Sequence, residues 1–161
     1  VLRTYLTRHG AGPLPTHDTS LDAVLPEPHN AGAGWQGDFR RGHPDAVLLR
    51  YALAAVGSLS GLLISHLDIF QRGVSLKWCE RYAVAPSLPQ WPRYLEQLPV
   101  GGPADLEHQS SLTHLLRNSC PQYCPEPIRS ELEFRKRIAS LTDLPVRFAS
   151  RGPTFADVCA N

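Results

Sequence analysis

The residues best suited to acid–base chemistry near neutral pH are four of the five histidines in the first half of the chain: His9, His17, His43 and His66. An imidazole changes its charge close to physiological pH, so histidines gathered at one site would indicate a proton-transfer centre. A metal centre is disfavoured, because these histidines show neither an i, i+4 helical spacing nor a paired-ligand spacing. The ordinary alternative is that they are exposed loop residues.

The four cysteines of the chain indicate structural roles. Cys120 and Cys124 are the closest pair, and a proline follows each of them. Zinc sites usually combine a tighter cysteine pair with a second pair at ligand spacing, and the sequence has neither. We therefore expect reduced structural thiols or one adventitious loop disulfide, and no metal site.

Charge and composition exclude several classes of partner. The 161 residues include 16 basic and 15 acidic side chains, a formal net charge of +1. This balance gives no electrostatic reason to expect a nucleic acid or an anionic membrane as partner. The longest apolar run, residues 46–64, is interrupted by Arg50 and two glycines, so it indicates a buried helix followed by a strand. No phosphate-binding glycine loop followed by a helix pattern is present.

The elements that must position these residues alternate between strand and helix patterns, which predicts an α/β fold in a single domain over residues 1–161. Strands are predicted over 2–7, 61–67, 74–82 and 145–150, and helices over 46–56, from 104 to 117 and after the capping box at 130–133. Residues 8–43 are expected to be loop-like, and 85–103 to form an irregular proline-rich crossing. The helix at 46–56 is apolar on nearly every face, so we expect it to be central and buried.

Five segments carry motifs in a fixed order. They are Thr-Arg-His-Gly-Ala-Gly-Pro-Leu-Pro-Thr (7–16), Gly-Asp-Phe-Arg-Arg-Gly-His-Pro-Asp (37–45), Leu-Ser-Gly-Leu-Leu-Ile-Ser-His-Leu-Asp (59–68), Arg-Ile-Ala-Ser-Leu-Thr-Asp-Leu-Pro-Val (137–146) and Ser-Arg-Gly-Pro (150–153). Together they resemble the C-terminal half of adenylosuccinate synthetase. That family joins inosine monophosphate to aspartate at the expense of GTP.

The resemblance implies a partial synthetase core related to P-loop NTPases, with a mixed sheet, flanking helices and long loops. It also implies a cytoplasmic protein of purine metabolism that binds a GTP- or IMP-type nucleotide. The family's phosphate loop, catalytic aspartate and histidine, and magnesium contacts belong to its N-terminal half, and none has a counterpart here. We therefore expect GTP as the cofactor by resemblance, no magnesium site, no catalytic residue and no complete catalysis by this chain alone.

The nucleotide-binding residues follow from the same matches. Asp68 falls on the family aspartate that reads guanine, and a carboxylate suits this task because it accepts two donors from the purine edge. His66 stands where the family has a lysine over the base, and His9 stands beside the ribose. The implied set is Asp68, His66, Ser150, Gly152, His9 and Gly10. The alternatives are that Asp68 caps a turn and that Ser150 and Gly152 simply form one.

The loop that holds aspartate in the family is altered in this chain. The matched positions are Gln36, Gly37, Arg40 and Arg41. The family's first loop arginine falls at Asp38, which inverts the charge that an aspartate substrate would meet. The alternative for Arg40 is a solvated loop arginine.

Three functions are consistent with the sequence. The first is a purine-nucleotide-binding fragment that is completed by a separate N-terminal half or acts as a homodimer. The second is a small ligase-like enzyme with altered substrate, in which the histidines take new roles. The third is a non-catalytic interaction protein with a vestigial pocket. Because fold alone does not fix function, the site must decide between them.

Overall fold

The computed structural model describes residues 1–27, 30, 35–102 and 104–160. The strands are β1 (Leu2–Arg3), β2 (Leu6–His9), β3 (Phe39–Gly42), β4 (Leu62–Ser65), β5 (Cys79–Val84), β6 (Tyr94–Leu95), β7 (Ser119–Tyr123), β8 (Val146–Ser150) and β9 (Val158–Ala160). The α-helices are α1 (Ser20–Val24), α2 (Ala46–Val56), α3 (Asp68–Gln71), α4 (Leu106–Arg117) and α5 (Glu131–Thr142). A short 3-10 helix, Phe155–Asp157, precedes β9.

A mixed four-stranded sheet forms the main core, in the order β1-β4-β8-β9. β1 and β8 run parallel to β4, with Leu2 opposite Ile64 and Ile64 opposite Ala149, whereas β9 is antiparallel to β8. Ile64 and Ala149 are fully buried, and the buried side chain of Phe134 on α5 belongs to the same core cluster. The predicted α/β class with a mixed sheet is confirmed.

Two smaller antiparallel sheets flank this core. β2 and β3 form one antiparallel pair, although residues 10–38 with α1 separate them along the chain, and the second sheet has the order β6-β5-β7. A separate apolar cluster lies under the second sheet and includes Tyr82, Leu115 and Val47 of α2. No helix of the described part of the chain is long and apolar enough to cross a membrane.

The single strand predicted over 2–7 is wrong, because the chain leaves the central sheet after Arg3 and joins the β2–β3 pair at Leu6. The two intervening side chains turn inward, and Thr4 and Tyr5 are almost completely buried. The Thr4 hydroxyl donates a 3.0 Å hydrogen bond to the carbonyl of His66. This bond ties the break in the strand to the segment that follows β4.

The helix α2 has the predicted limits but not the predicted burial. Asp45 caps its first turn by accepting from the backbone N–H groups of Val47 and Leu48, and Gly57 ends it at φ 80°. Only Ala46 and Val47 are buried, and Val56 is 65% exposed. Apolar periodicity shows which faces of a helix can be buried. It does not show how much of that helix another element covers.

Three further segments differ from the sequence prediction. The 8–43 segment contains α1 and β3, although residues 28, 29 and 31–34 lie outside the described part. The strand predicted at 74–82 begins only at Cys79, and the proline-rich crossing contains β6. The helix after the capping box is confirmed, because Ser130 accepts from the N–H of Glu133 and α5 buries Phe134 and Ile138.

Candidate functional site

A cleft of about 440 Å³ opens where β4 and β8 end. These strands are parallel neighbours, so the residues that follow them meet at one edge of the central sheet. Ligands of open α/β sheets commonly bind at this edge, beyond the carboxyl ends of the strands. The cleft is lined by Tyr5, Pro26, Glu27, His66, Asp68, Arg72, Gly152 and Pro153.

Asp68 supplies a carboxylate to this cleft. It is the first residue of α3, and a third of its side chain is exposed. Its Oδ2 lies 3.2 Å from a guanidinium nitrogen of Arg72, one helical turn further on. The carboxylate therefore keeps unused acceptor positions that face solvent, and these could receive the donors of a purine edge.

His66 forms the neighbouring wall of the cleft and is fixed from three sides. Its Nε2 lies 2.8 Å from Nη2 of Arg3, its Nδ1 lies 3.0 Å from the Ser65 hydroxyl, and its ring is edge-on to Tyr5 at a 5.5 Å centroid separation. Burial lowers the pKa of His66, and the positive charge of Arg3 lowers it further.

Arg3, Tyr5 and Glu27 form a partly buried hydrogen-bond network beside His66. The Oε1 of Glu27 accepts from Arg3 at 2.7 Å and from the Tyr5 hydroxyl at 2.9 Å. Burial alone would raise the pKa of Glu27, but the bond from Tyr5 and the charge of Arg3 outweigh it and lower that pKa. Sequence reasoning missed these three residues, because Glu27 lies far along a loop-like segment and no spacing links it to the other two.

The opposite wall is formed by the turn after β8. The hydroxyl of Ser150 donates to the carbonyl of Gly152 at 3.0 Å, and the Ser150 carbonyl accepts from the N–H of Leu67 at 3.1 Å. A Cβ at Gly152 would lie 2.5 Å from the carboxyl carbon of Asp157, so a side chain there would push this carboxylate away from its bonds to the N–H and hydroxyl of Thr154. The cleft thus brings together Asp68, His66 and Gly152, with the buried Ser150 behind them.

The remaining predicted residues lie on or next to the β2–β3 pair, outside the lining of the cleft. The N–H of Gly10 donates to the carbonyl of Asp38 at 3.2 Å, and the guanidinium of Arg40 donates to the carbonyls of Gly10 and Gly12. A Cβ at Gly37 would lie 3.1 Å from the Cα of Gly10. The structure therefore joins the loop to the end of β2 by close backbone approach.

Three other members of the predicted set have separate contacts. The ring of His9 packs on Phe39 at 4.9 Å, and a Cβ at Gly10 would lie 3.2 Å from the carbonyl oxygen of Gln36. Arg41 turns away from the loop, because its guanidinium forms a 2.7 Å ion pair with Asp22 of α1 and only 10% of its side chain is exposed.

The four histidines do not share one set of contacts. His43 is buried, lies 3.1 Å from a carboxylate oxygen of Asp18 and accepts from the backbone N–H of Lys77 at its Nδ1. Burial lowers the pKa of His43. His17 pairs through its backbone with Gly42. Of the four, His66 alone lines the cleft.

Metal-ligating residues are not grouped in the described ranges, where no set of three or more His, Cys, Asp or Glu side chains could hold a metal ion. The four cysteines are free thiols, and Cys120 and Cys159 are exposed. The cleft offers carboxylate, imidazole and guanidinium groups, which can form hydrogen bonds with a polar heterocycle.

Comparison with known proteins gives one consistent family. A family model described as adenylosuccinate synthetase matches residues 1–159. The chain is 30% identical over 164 residues to the adenylosuccinate synthetase of Hamiltonella defensa and 29% identical over 156 residues to that of Lactobacillus delbrueckii subsp. bulgaricus. Each alignment covers 95% of this chain but only 35% of the relative, so the chain spans about a third of the length of these curated relatives.

The fold has a solved counterpart. It is similar to the structure of fully ligated adenylosuccinate synthetase from Plasmodium falciparum, with a TM-score of 0.70 and 18% sequence identity. The superposition covers 100% of this chain and 39% of that one.

Proposed function

The chain belongs to the adenylosuccinate synthetase family, and on that basis we propose that it is the C-terminal, base-binding part of such an enzyme, whose cleft binds a purine nucleotide. The observation that carries this proposal is the position of Asp68. Its carboxylate lies beside the parallel strand ends of β4 and β8 and opposite Gly152, in a cleft large enough for a base and a sugar.

Guanine is the base that suits this carboxylate best. Its ring N–H and its exocyclic amine point in one direction, so a single carboxylate can accept both. The base part of GTP therefore fits the residues present, with Asp68 as acceptor, His66 as one wall and Gly152 as the other. GTP would supply the phosphoryl group of the family reaction. The residues of this chain bind and orient its base.

Catalysis is proposed to need a further part of the family fold. The relatives are much longer than this chain, and the residues described here include no phosphate loop and no metal-ligating group. Phosphoryl transfer depends on positioning and charge neutralisation at the phosphates, so a base-binding part alone has no means to promote it. This chain is therefore expected to bind nucleotide without turnover.

The amino-acid substrate of the family reaction does not match the loop of residues 36–41. Arg40 is occupied by two backbone carbonyls, and Asp38 brings a negative charge where the family has an arginine. A carboxylate substrate would be repelled by Asp38 and would have to displace Arg40 from its partners. We infer that free aspartate is not bound by this loop in the isolated chain.

The proposed partner is a polypeptide that carries the rest of a synthetase. β1 is the last strand of its sheet, and no strand of the described residues pairs with its other edge. Beside it, an apolar cleft of about 260 Å³ is lined by Leu2, Leu6, Leu48, Leu49 and Ala52, among others. An open strand edge next to apolar surface favours a protein partner. A second copy of the chain is the alternative occupant.

A thermal-shift experiment tests the nucleotide proposal. Saturating GDP or GTP should raise the melting temperature of the full chain, because a ligand that binds only the folded state stabilises it. UDP at the same concentration controls for phosphate binding and should give a smaller shift. Absence of a shift with any purine nucleotide at millimolar concentration would overturn the proposal.

A further inference from the structure

We propose that the purine lies against His66 as a neutral imidazole, whose Nε2 is held as a hydrogen-bond acceptor by Arg3, so that binding requires an unprotonated His66. This inference rests on the proposed function, namely that the cleft binds a purine nucleotide. It adds the tautomer and the protonation state in which His66 forms its wall of the cleft.

The tautomer of His66 follows from its partner. A guanidinium group carries five N–H donors, has no acceptor and stays charged in proteins. Because Nη2 of Arg3 lies 2.8 Å from Nε2 of His66, that ring nitrogen must present its lone pair. The ring proton then sits on Nδ1, which lies 3.0 Å from the Ser65 hydroxyl and donates to it.

The position of the ring is fixed before any ligand arrives. His66 has a φ of 64°, a left-handed conformation that non-glycine residues rarely adopt. Such a conformation is kept only where the surroundings enforce it. Here the Thr4 hydroxyl holds the His66 carbonyl at 3.0 Å, and the ring of Tyr5 packs edge-on against the imidazole. The half-buried ring is therefore a preorganised wall of the cleft.

The charges around the imidazole come from every element that faces it. Arg3 on β1 and Arg72 after α3 are cations that disfavour protonation. Glu27 and Asp68 are anions that favour it, but Glu27 already accepts from Arg3 and Tyr5, and Asp68 is paired with Arg72. A proton on Nε2 would point directly at the Arg3 donor and break their contact. The neutral ring is thus the form that the surroundings accept.

A neutral imidazole suits a purine as a stacking surface. Nucleobases stack on aromatic side chains, histidine included, and such stacking tolerates different bases. His66 stacks on any purine, and Asp68 selects guanine because it accepts the two hydrogen bonds that the guanine edge donates. Protonation would disturb the wall without changing the reading edge, so acid should weaken guanine and hypoxanthine nucleotides alike.

The tautomer is tested directly by nitrogen-15 NMR of the full chain at pH 8 without nucleotide. The expected spectrum has a protonated Nδ1 and an unprotonated Nε2 for His66. In Arg3→Met the Nε2 nitrogen should no longer be fixed as an acceptor, and His66 should protonate at higher pH, because a neighbouring cation has been removed. A proton on Nε2 of the wild-type chain would overturn the proposal.

The functional consequence is tested by measuring the Kd of GDP between pH 5.5 and pH 8. The wild-type Kd should be flat at high pH and then rise by up to about tenfold per pH unit once His66 protonates. His66→Phe should lose this dependence, and Arg3→Met should move its onset to higher pH. Titration of the GDP phosphates is common to all variants, so the difference between wild type and His66→Phe isolates the imidazole.

The control is Arg147→Met, which removes an exposed guanidinium from β8 outside the cleft and should keep the wild-type slope. Equal slopes in wild type and His66→Phe would overturn this inference while leaving nucleotide binding intact. If wild type fails to bind GDP even at pH 8, the proposed function is overturned and the inference with it.

Discussion

At the scale of single residues, the carboxylate of Asp68 has two competing partners. Arg72 holds one oxygen at 3.2 Å in an ion pair whose two side chains are partly exposed, so that water screens it and weakens it. A guanine edge would bring two donors into a partly closed cleft, where charge-assisted hydrogen bonds are stronger. The surface ion pair is thus expected to yield to the base rather than to block it.

The first prediction concerns Asp68→Asn. The variant should weaken GDP by about tenfold to hundredfold, because one acceptor becomes a donor that faces the guanine donors. IDP lacks the exocyclic amine, so it should lose less affinity. Isothermal titration calorimetry of both ligands measures the difference. Asp38→Asn, just before β3 and outside the cleft, is the control. Equal losses for GDP and IDP would contradict the assigned role.

A second carboxylate of interest, Asp45, lies at the start of α2 and is only 4% exposed. Burial raises the pKa of Asp45 to about 6, although hydrogen bonds from the Tyr82 hydroxyl and from two backbone N–H groups oppose this. The folded chain therefore holds this proton more tightly than the unfolded chain. Its contribution to stability is largest in acid and is lost as the pH rises through about 6.

The second prediction is that Asp45→Asn becomes more stable relative to wild type as the pH rises from about 4 to 7, by on the order of 3 kcal/mol. Asparagine keeps the cap through its amide oxygen but stays neutral. Asp45→Ala removes the cap as well as the titrating group, so it should be about 1–2 kcal/mol less stable than Asp45→Asn throughout this pH range. Urea unfolding at several pH values measures these differences. A relative gain by wild type at high pH would show that the helix start stabilises the charged carboxylate.

The residues of the cleft were only partly accessible from the sequence. Asp68, His66, Ser150 and Gly152 lie in segments with recognisable motifs. The resemblance of these segments to the synthetase family therefore predicted that the four residues share one site. Arg3, Tyr5 and Glu27 carry no motif, and their hydrogen bonds join residues more than twenty positions apart in the chain. Contacts of this kind depend on the path of the loop, which local patterns do not encode.

At the scale of elements, the β2–β3 pair depends on the close backbone approach of two glycines. Gly10 and Gly37 both have positive φ, 73° and 76°, and the site of a Cβ on Gly37 is 3.1 Å from the Cα of Gly10. Neither neighbour is a flexible side chain, so the backbone itself would have to move. This contact holds the segment before β3 beside the end of β2.

The third prediction compares Gly37→Ala with Gly73→Ala. Both glycines have φ near 75°, but a Cβ at Gly73 meets nothing within 4 Å. Gly73→Ala should therefore cost only the left-handed conformation, about 1 kcal/mol. Gly37→Ala should cost roughly 1–3 kcal/mol more, because it also crowds the backbone. Chemical denaturation of both variants measures the gap. Equal costs would show that the loop moves freely away from β2.

Element limits were more predictable than element burial. Asp45 and Gly57 give α2 its start and end, and Ser130 does the same for the start of α5, because capping is a local property. The exposure of Ala54, Ala55 and Val56 depends on what packs over the helix. β9 was not predicted, since three residues that pair only with β8 have little pattern of their own.

At the scale of the whole molecule, we expect the apolar surface beside β1 to be the one through which the chain associates. It joins an open strand edge to the half-buried side chains of α2. A surface of this composition is costly to leave in water, so a polypeptide that covers it should bind with useful affinity. The portion of a synthetase that this chain does not match is the proposed cover.

The fourth prediction is that the unmatched portion of the Hamiltonella defensa synthetase, made as a separate polypeptide, binds this chain in analytical ultracentrifugation. Ala52→Lys places a charge in the apolar cleft and should weaken binding at least about tenfold. Ala139→Lys adds the same charge to an exposed position of α5 and should not. Self-association that Ala52→Lys abolishes, without binding of the added portion, would instead favour a homodimer.

The order of strands in the central sheet also sets how fast it can form. Leu2 pairs with Ile64, and Leu62 pairs with Val146, so each parallel contact closes a long loop of chain. Loop closure of this length precedes the stabilising contacts, and folds dominated by such distant pairings take milliseconds to seconds. During synthesis the apolar β4 must wait for β8, so we expect one edge of an aggregation-prone strand to stay exposed until β8 has left the ribosome.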